Sequence, residues 1–265
     1  MIFGSLLYVS FYPHSDIYQQ LFDDDTAIEQ IPVCSSEDRI RQRALLSTLH
    51  AWHDFAQHHQ IPYWIGYQTL LGYVHRHGLL AHQSELDLFI MAHHTSQLLH
   101  LSRSQSSSDI YKLRVHPQWY LIKHAERSYF HSEEIDFIAP NARFINTDEH
   151  VYINIWPIYD YNPNETRIEI NSKPMLTVYD SNQQWKSLPR EWVYPLRECE
   201  YSGVKIWCPA KAQELVEDMY GKVAHILLNK ECVNGSWAKD EELKSPAKNI
   251  QMTKSSTTTQ KLPVS

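Results

Sequence analysis

Apolar residues recur every three or four positions after Ser35, a spacing that places them on one side of an α-helix. Ser35 and Asp38 form a Ser-x-x-Asp pattern typical of a helix start, and the apolar spacing continues to His59. The pattern therefore predicts an amphipathic helix of about five turns.

Three short elements are predicted after the Ile61-Pro62 break. Tyr63–Ile65 predicts a strand, Thr69–Arg76 predicts a second helix that ends in a turn at Gly78, and Leu86–Met91 predicts a buried strand. This stretch therefore has the order strand, helix, strand.

The rest of the chain is rich in short strand patterns. The serine-rich segment 102–108 predicts a loop, and Cys208-Pro209 predicts the start of a final helix that stops at Gly221. Strands are predicted at 111–115, 119–122, 135–138 and 151–156, with a hairpin at 168–178. This mixed order predicts an α+β fold.

The chain has 265 residues, of which 43% are hydrophobic, and this suits one domain with a sizeable core. We predict a poorly defined N-terminal segment at 1–34, a domain at 35–238 and a disordered polar tail at 239–265. The formal charge of -7 argues against nucleic acid as a partner.

Four cysteines without a C-x-x-C pair leave disulfides open and argue against a zinc ribbon or a thioredoxin-like site. The apolar opening run lacks a basic region and is too short to span a membrane, so we expect neither a complete signal peptide nor an anchor. The sequons at Asn164 and Asn234 would matter only in the secretory pathway.

The chemistry is concentrated at Glu85 and Asp87, which are two residues apart in an extended run between apolar neighbours. Their side chains therefore point to one face while Leu86 and Leu88 fill the other. Two adjacent carboxylates can hold Mg²⁺ for phosphoryl or nucleotidyl transfer. The alternative is an ordinary strand with an acidic outer face.

This block resembles the LicD/fukutin family, whose members typically read G-G-T-L-L-G, R-H-x-G and I-P-W-D-D-D-x-D. The matching residues here are Thr69, Leu70, Leu71, Gly72, Gly78 and Asp87. Regions 142–157 and 192–221 resemble later parts of the family in the same order. Together these regions extend the resemblance over roughly residues 39–221.

The resemblance implies a single nucleotidyltransferase-fold domain, a mixed sheet with flanking helices. It also implies transfer of a phosphorylated small alcohol, such as ribitol phosphate or phosphocholine, from a CDP-linked donor to a glycan. Mg²⁺ would be the cofactor, and the secretory pathway or Golgi would be the location.

Residue roles carry over from the family by position. Glu85, Asp87 and Asn154 would be the catalytic residues and the Mg²⁺ ligands. The donor would be bound by Gln68, Thr69, Gly72, His75, Arg76 and His77.

The departures from the family pattern fall on the acids. Asn154 stands where the family has Asp, so the site loses one negative charge and any base function there, and Asp136 is a weaker candidate for the missing ligand. Gln68 replaces a glycine that would allow positive φ. The competing hypothesis is therefore a non-catalytic protein of the same fold that binds a glycan, a nucleotide or a partner protein.

Overall fold

A computed structural model describes residues 26–106, 109–116, 140–160, 175–179, 185–221, 224, 228 and 230–238. The predicted strands at 119–122 and 135–138, most of the predicted hairpin at 168–178, Asp136 and the Asn164 sequon lie outside these ranges. So do the first 25 residues and the predicted polar tail.

The first half of the domain follows the predicted order closely. A short helix α1 (Thr26–Glu29) precedes the long helix α2 (Ser36–His58), which begins directly after Ser35. Strand β1 (Tyr63–Ile65), helix α3 (Tyr67–Arg76) and strand β2 (Leu86–Met91) come next. A 3₁₀ turn then leads into helix α4 (Thr95–Ser104).

Helix α4 was not predicted, and it takes in the first three residues of the segment assigned to a loop. Leu98 is fully buried on it, while serine, glutamine and histidine occupy much of its remaining surface. The sequence pattern did not predict this helix because serine has a weak helix preference and the buried face of the helix is narrow.

The central sheet contains β1, β2 and three later strands. These are β3 (Tyr111–Val115), β4 (Ala142–Asn146) and β5 (Val151–Ile158), and the spatial order is β1-β2-β5-β4-β3. Strand β2 pairs with β5 in parallel, whereas the other neighbours are antiparallel. The predicted mixed sheet with flanking helices is confirmed.

The remaining elements form separate hairpins and two helices. Strand β6 (Met175–Tyr179) pairs with β7 (Trp185–Pro189), and β8 (Arg197–Tyr201) pairs with β9 (Val204–Cys208). Helix α5 (Arg190–Val193) precedes β8, and helix α6 (Ala212–Tyr220) follows β9. Strands β10 (Cys232–Val233) and β11 (Ser236–Trp237) form a last hairpin.

One boundary prediction was wrong in this part. The last helix begins at Ala212, because Cys208 is still the end of β9 and pairs there with Arg197. Strand β6, the described end of the predicted hairpin, pairs with β7, and its Thr177 also bridges Tyr159. Helix α6 does end at Gly221, where φ is 51° and glycine has no side chain to strain.

The two faces of the sheet have different roles. Leu88 on β2, Ile155 on β5 and Phe144 on β4 are buried on one face, where the Phe144 ring lies 5.4 Å from the fully buried ring of Trp52 on α2. Alternation along the strands then places Asp87 on the opposite face. The long helix therefore covers one side of the sheet, and the polar residues lie on the other.

The last hairpin is fastened to the start of α2. Cys34 and Cys232 form a disulfide across 198 residues of sequence, and the indole N–H of Trp237 donates to Asp38 Oδ2 at 2.9 Å. Asp38 also accepts hydrogen bonds from the N–H groups of Cys34 and Ser35, and these bonds contribute to lowering its pKa. The last described hairpin is thus attached to the segment at the start of α2 by one covalent bond and one hydrogen bond.

A second disulfide joins Cys199 to Cys208 across the β8–β9 hairpin, so all four cysteines are paired. Within the described residues, no helix has both the length and the apolar character needed to span a bilayer.

We expect the double change Cys34→Ser and Cys232→Ser to lower the free energy of unfolding by about 2–4 kcal/mol, because the bond closes a long loop in the unfolded chain. Urea denaturation measures this loss. Cys199→Ser with Cys208→Ser is the matched control and should cost less, since that bond closes a much shorter loop. Equal losses for the two double variants would contradict this account.

Candidate active site

A row of three residues crosses the sheet on the face opposite α2. In the strand registers Asp87 of β2 is the partner of Asn154 of β5, and Asn154 is the partner of Arg143 of β4. Partners in adjacent strands project to the same face, so a carboxylate, an amide and a guanidinium stand side by side.

Asp87 is the most buried ionisable group in this row. Its Oδ1 accepts a hydrogen bond from Trp156 Nε1 at 2.8 Å and one from Asn154 Nδ2 at 3.2 Å. Burial raises the pKa of Asp87 to about 6, from an ordinary value of 3.8. The Trp156 bond opposes this rise, the negative charge of Glu85 adds to it, and the Asn154 bond opposes it.

The orientation of the Asn154 amide follows from its two neighbours. Arg143 Nε donates to Asn154 Oδ1 at 3.0 Å, and the amide nitrogen faces Asp87. A guanidinium can only donate and an ionised carboxylate can only accept, so the amide oxygen must face Arg143. The oxygen that was predicted to bind Mg²⁺ therefore already accepts one hydrogen bond from Arg143.

Tyr152 links the row to Glu85. The Arg143 guanidinium carbon lies 4.6 Å from the centre of the Tyr152 ring, as in a cation–π contact. The Glu85 carboxylate accepts a hydrogen bond from the Tyr152 hydroxyl, and this bond is the main cause of the raised pKa of Tyr152. Glu85 is half-buried and stands next to the row, as the alternation along the strand predicted.

Thr69 supports the site from behind. Its side chain is fully buried, and Oγ1 accepts hydrogen bonds from the Asp87 backbone N–H at 2.8 Å and from Gln83 Nε2 at 3.2 Å. Gln83 Oε1 in turn accepts from the hydroxyl of Tyr201 at 3.3 Å. Thr69 therefore positions the start of β2, whereas the family resemblance assigned it to donor phosphates.

The other residues predicted to bind the donor are spread along helix α3. Gln68 is half-buried in the first turn, close to Asp87, while His75, Arg76 and His77 are exposed at the far end. A rise of 1.5 Å per residue puts the far end about 13 Å from the start of α3. Only Gln68 in this group is therefore near the row.

Gly72 has a packing role. A Cβ atom at this position would lie 2.5 Å from the carbonyl oxygen of Gly78, a distance that no side chain tolerates. The position therefore needs glycine so that the turn can close against the helix. Gly72 is also buried, which separates it from any ligand on the sheet face.

Positive φ occurs at Tyr67, where it is 41°, and Gln68 does not have it. Tyr67 begins α3 and its ring packs edge-on against Trp156 at 5.2 Å. The half-buried rings of Tyr67 and Trp156 therefore form an aromatic side of the site next to Asp87.

Arg143 and Tyr152 are the functional candidates that sequence analysis missed. Tyr152, Asn154 and Trp156 are alternate residues of β5 and therefore project to the same face, and this spacing is visible in the sequence. Arg143 carried no such signal, because its place depends on the register between β4 and β5.

The side chains present suit Mg²⁺ only in part. Glu85 and Asp87 are oxygen ligands of the kind that Mg²⁺ takes when substrate phosphates complete its shell, whereas the Asn154 oxygen carries no charge and already accepts a hydrogen bond from Arg143. Within the described ranges, no group of three His, Cys, Asp or Glu residues is placed to hold a metal ion.

We expect Asp87→Asn to stabilise the fold at pH 8, because an amide keeps an acceptor for Trp156 and removes the cost of burying a charge. The raised pKa of Asp87 means that wild-type stability falls as pH rises from about 4 to about 6, by about 3 kcal/mol in all. Urea denaturation at pH 4, 6 and 8 checks this. The variant should lack the fall, whereas Glu149→Gln, at an exposed acid, should retain it. A parallel fall in Asp87→Asn would rule out Asp87 as its source.

We expect Thr69→Val to destabilise the domain by about 1–3 kcal/mol, because it leaves the buried N–H of Asp87 and the Gln83 amide without their acceptor. Thr69→Ser should restore most of the loss. Thr48→Val is a matched control, since Thr48 is also fully buried but donates to the carbonyl of Ala44 in its own helix. Thermal denaturation distinguishes the three variants.

Comparison with known proteins gives a family match and likenesses to solved structures. No curated protein matches the chain in a sequence search. The solved structure of a lincosamide antibiotic adenylyltransferase, LnuA, with lincomycin bound is 19% identical, covers 68% of this chain and 92% of its own, and has a TM-score of 0.35. The family model described as LicD/FKTN/FKRP, nucleotidyltransferase domain, matches residues 60–211, which is more than half of the chain. The chain belongs to the LicD/FKTN/FKRP nucleotidyltransferase family.

Proposed function

We propose that this chain is a phosphotransferase of the LicD/fukutin type that acts in glycan modification. It transfers a phosphorylated small alcohol, of the ribitol phosphate or phosphocholine type, from a CDP-linked donor to a glycan acceptor. Family membership supports the reaction class, and the pair Glu85 and Asp87 on one sheet face supports the position of the site.

The backbone around Asp87 favours binding of a phosphorylated donor. The N–H of Gly66, the residue before α3, donates to the Asp87 carbonyl at 2.9 Å, so this helix begins beside the acidic pair. The start of a helix carries partial positive charge and suits phosphate oxygens. Tyr67 and Trp156 offer ring faces and edges next to the same point for a sugar or a base.

Mg²⁺ is part of this proposal, with Glu85 and Asp87 as its ligands. When bound, it would neutralise negative charge on the donor phosphates. The residues of the chain have defined supporting roles: Thr69 fixes the backbone of Asp87, Trp156 fixes its carboxylate, and Tyr152 holds Glu85.

A second candidate function is favoured by the Asn154 amide. Arg143 places a positive charge next to this amide, and Asp87 already accepts two hydrogen bonds from neighbouring side chains. The row is therefore satisfied without a metal ion, as expected for a non-catalytic protein that binds a nucleotide, a glycan or a partner protein.

Both disulfides support a secretory location. Such bonds persist in oxidising compartments and are rare in the cytosol, and all four cysteines of the chain are paired. We therefore propose the secretory pathway, with the Golgi as the finer assignment by family.

Calorimetric titration of CDP and of a CDP-linked polyol, with and without Mg²⁺, tests the proposal. The transferase predicts binding that requires Mg²⁺ and weakens by more than about tenfold in Asp87→Asn, while Glu149→Gln binds like the wild type. Release of CMP in the presence of a glycan acceptor would show turnover. Binding of equal strength with and without Mg²⁺, and no CMP release, would overturn the transferase and support the non-catalytic protein.

The variant Asn154→Asp adds a second comparison, because it restores the acid that the family carries. Mg²⁺-dependent binding or CMP release that appears only in this variant would show that the natural chain has lost its activity. Asn154→Ala is its control, since it removes the amide without adding charge.

A further inference from the structure

The hairpin formed by β10 and β11 presents a sequon at its tip. Cys232 pairs with Trp237 and Val233 pairs with Ser236, so Asn234 and Gly235 are the two residues of the turn. Both have positive φ, 51° and 78°, as expected for the tight Asn-Gly turn that suits twisted strands.

Asn234, Gly235 and Ser236 have the form Asn-x-Ser, and all three residues are exposed. No proline occupies the middle position, so the triplet meets the requirement for N-linked glycosylation. Asn234 is exposed at the turn of a ladder that contains only two residue pairs. A bulky substituent on this amide would therefore displace no packed group.

The attachment of this hairpin to the start of α2 is a second, independent observation that favours glycosylation at Asn234. The Cys34–Cys232 disulfide lies two residues before Asn234, and Trp237 bonds to the buried Asp38. Structural disulfides are rare outside oxidising compartments, and N-linked glycans are attached in such a compartment. The same hairpin therefore carries both the acceptor residue and a bond that is typical of the compartment where it would be modified.

We propose that Asn234 is an N-glycosylation site. The proposal rests on the secretory location and does not depend on transferase activity. In the reaction, the side-chain amide nitrogen of Asn234 forms a bond to the anomeric carbon of a lipid-diphosphate-linked oligosaccharide. The bond from that carbon to the diphosphate oxygen breaks, the lipid diphosphate leaves with the bonding electrons, and the amide nitrogen loses a proton.

The hairpin lies beside the segment that leads into Glu85, because the rings of Trp237 and His82 are 6.3 Å apart. Glycan attachment at Asn234 is read by mass spectrometry, whereas donor binding is read by calorimetric titration. Failure of the glycosylation proposal is thus distinguishable from failure of the proposed function.

The test is expression of the full chain, targeted to the secretory pathway of a eukaryotic cell, followed by intact-protein and peptide mass spectrometry. Peptide N-glycosidase in ¹⁸O water converts a glycosylated Asn to labelled Asp, and we expect at residue 234 a label well above that of an enzyme-free sample, which measures spontaneous deamidation of the Asn-Gly pair. Ser236→Ala and Asn234→Gln should remove this enzyme-dependent label, whereas Ser236→Thr should keep it because threonine completes the same sequon.

Two controls make the result decisive. Thr166→Ala removes the other sequon, at Asn164, so any remaining glycan is assigned to Asn234. Free-thiol titration of the same sample establishes that both disulfides have formed. An unlabelled Asn234 in a fully disulfide-bonded chain, in both the intracellular and the secreted fractions, would overturn the proposal.

Discussion

The pairing of three strands in one register holds the candidate site together. Parallel pairing sets Asp87 beside Asn154, and antiparallel pairing sets Asn154 beside Arg143. Side chains alternate between faces along each strand, so a slip of one residue in β5 would turn Asn154 toward helix α2. The register is maintained because the apolar residues that alternate with these three residues along their strands must face Trp52 and its neighbours.

The charges along this row favour an amide at position 154. A carboxylate there would stand directly against Asp87, and two adjacent acids need a cation between them. The amide avoids that repulsion, donates to Asp87 and accepts from Arg143. Arg143 thus provides a positive charge from the chain itself, one strand away from Asn154.

The raised pKa of Asp87 has a related cause. The carboxylate is buried and receives two hydrogen bonds at one oxygen. Keeping such a group costs stability at neutral pH, which is typical of residues retained for chemistry or binding. The buried hydroxyl of Thr69 offsets part of the cost because it fixes the backbone that carries Asp87.

The start of helix α2 organises the other side of the molecule. Asp38 accepts hydrogen bonds from the N–H groups of Cys34 and Ser35 and from the indole of Trp237. The Cys34–Cys232 disulfide attaches the last hairpin to the same place. One buried carboxylate therefore joins elements almost 200 residues apart in sequence. The hairpin that presents Asn234 is rigid in position because of this joint.

Local pattern by itself determined α2, β1 to β3, most of α3 and the placement of Glu85 and Asp87 on one face, because these depend on spacing along a single element. The family motif similarly picked out Thr69 and Gly72, but burial decided their roles in positioning and packing. Arg143, the direction of the Asn154 amide and the pairing of the cysteines were decided only by tertiary structure. They depend on which strands and ends of the chain become neighbours, and contacts of that kind leave no periodic trace in a single sequence.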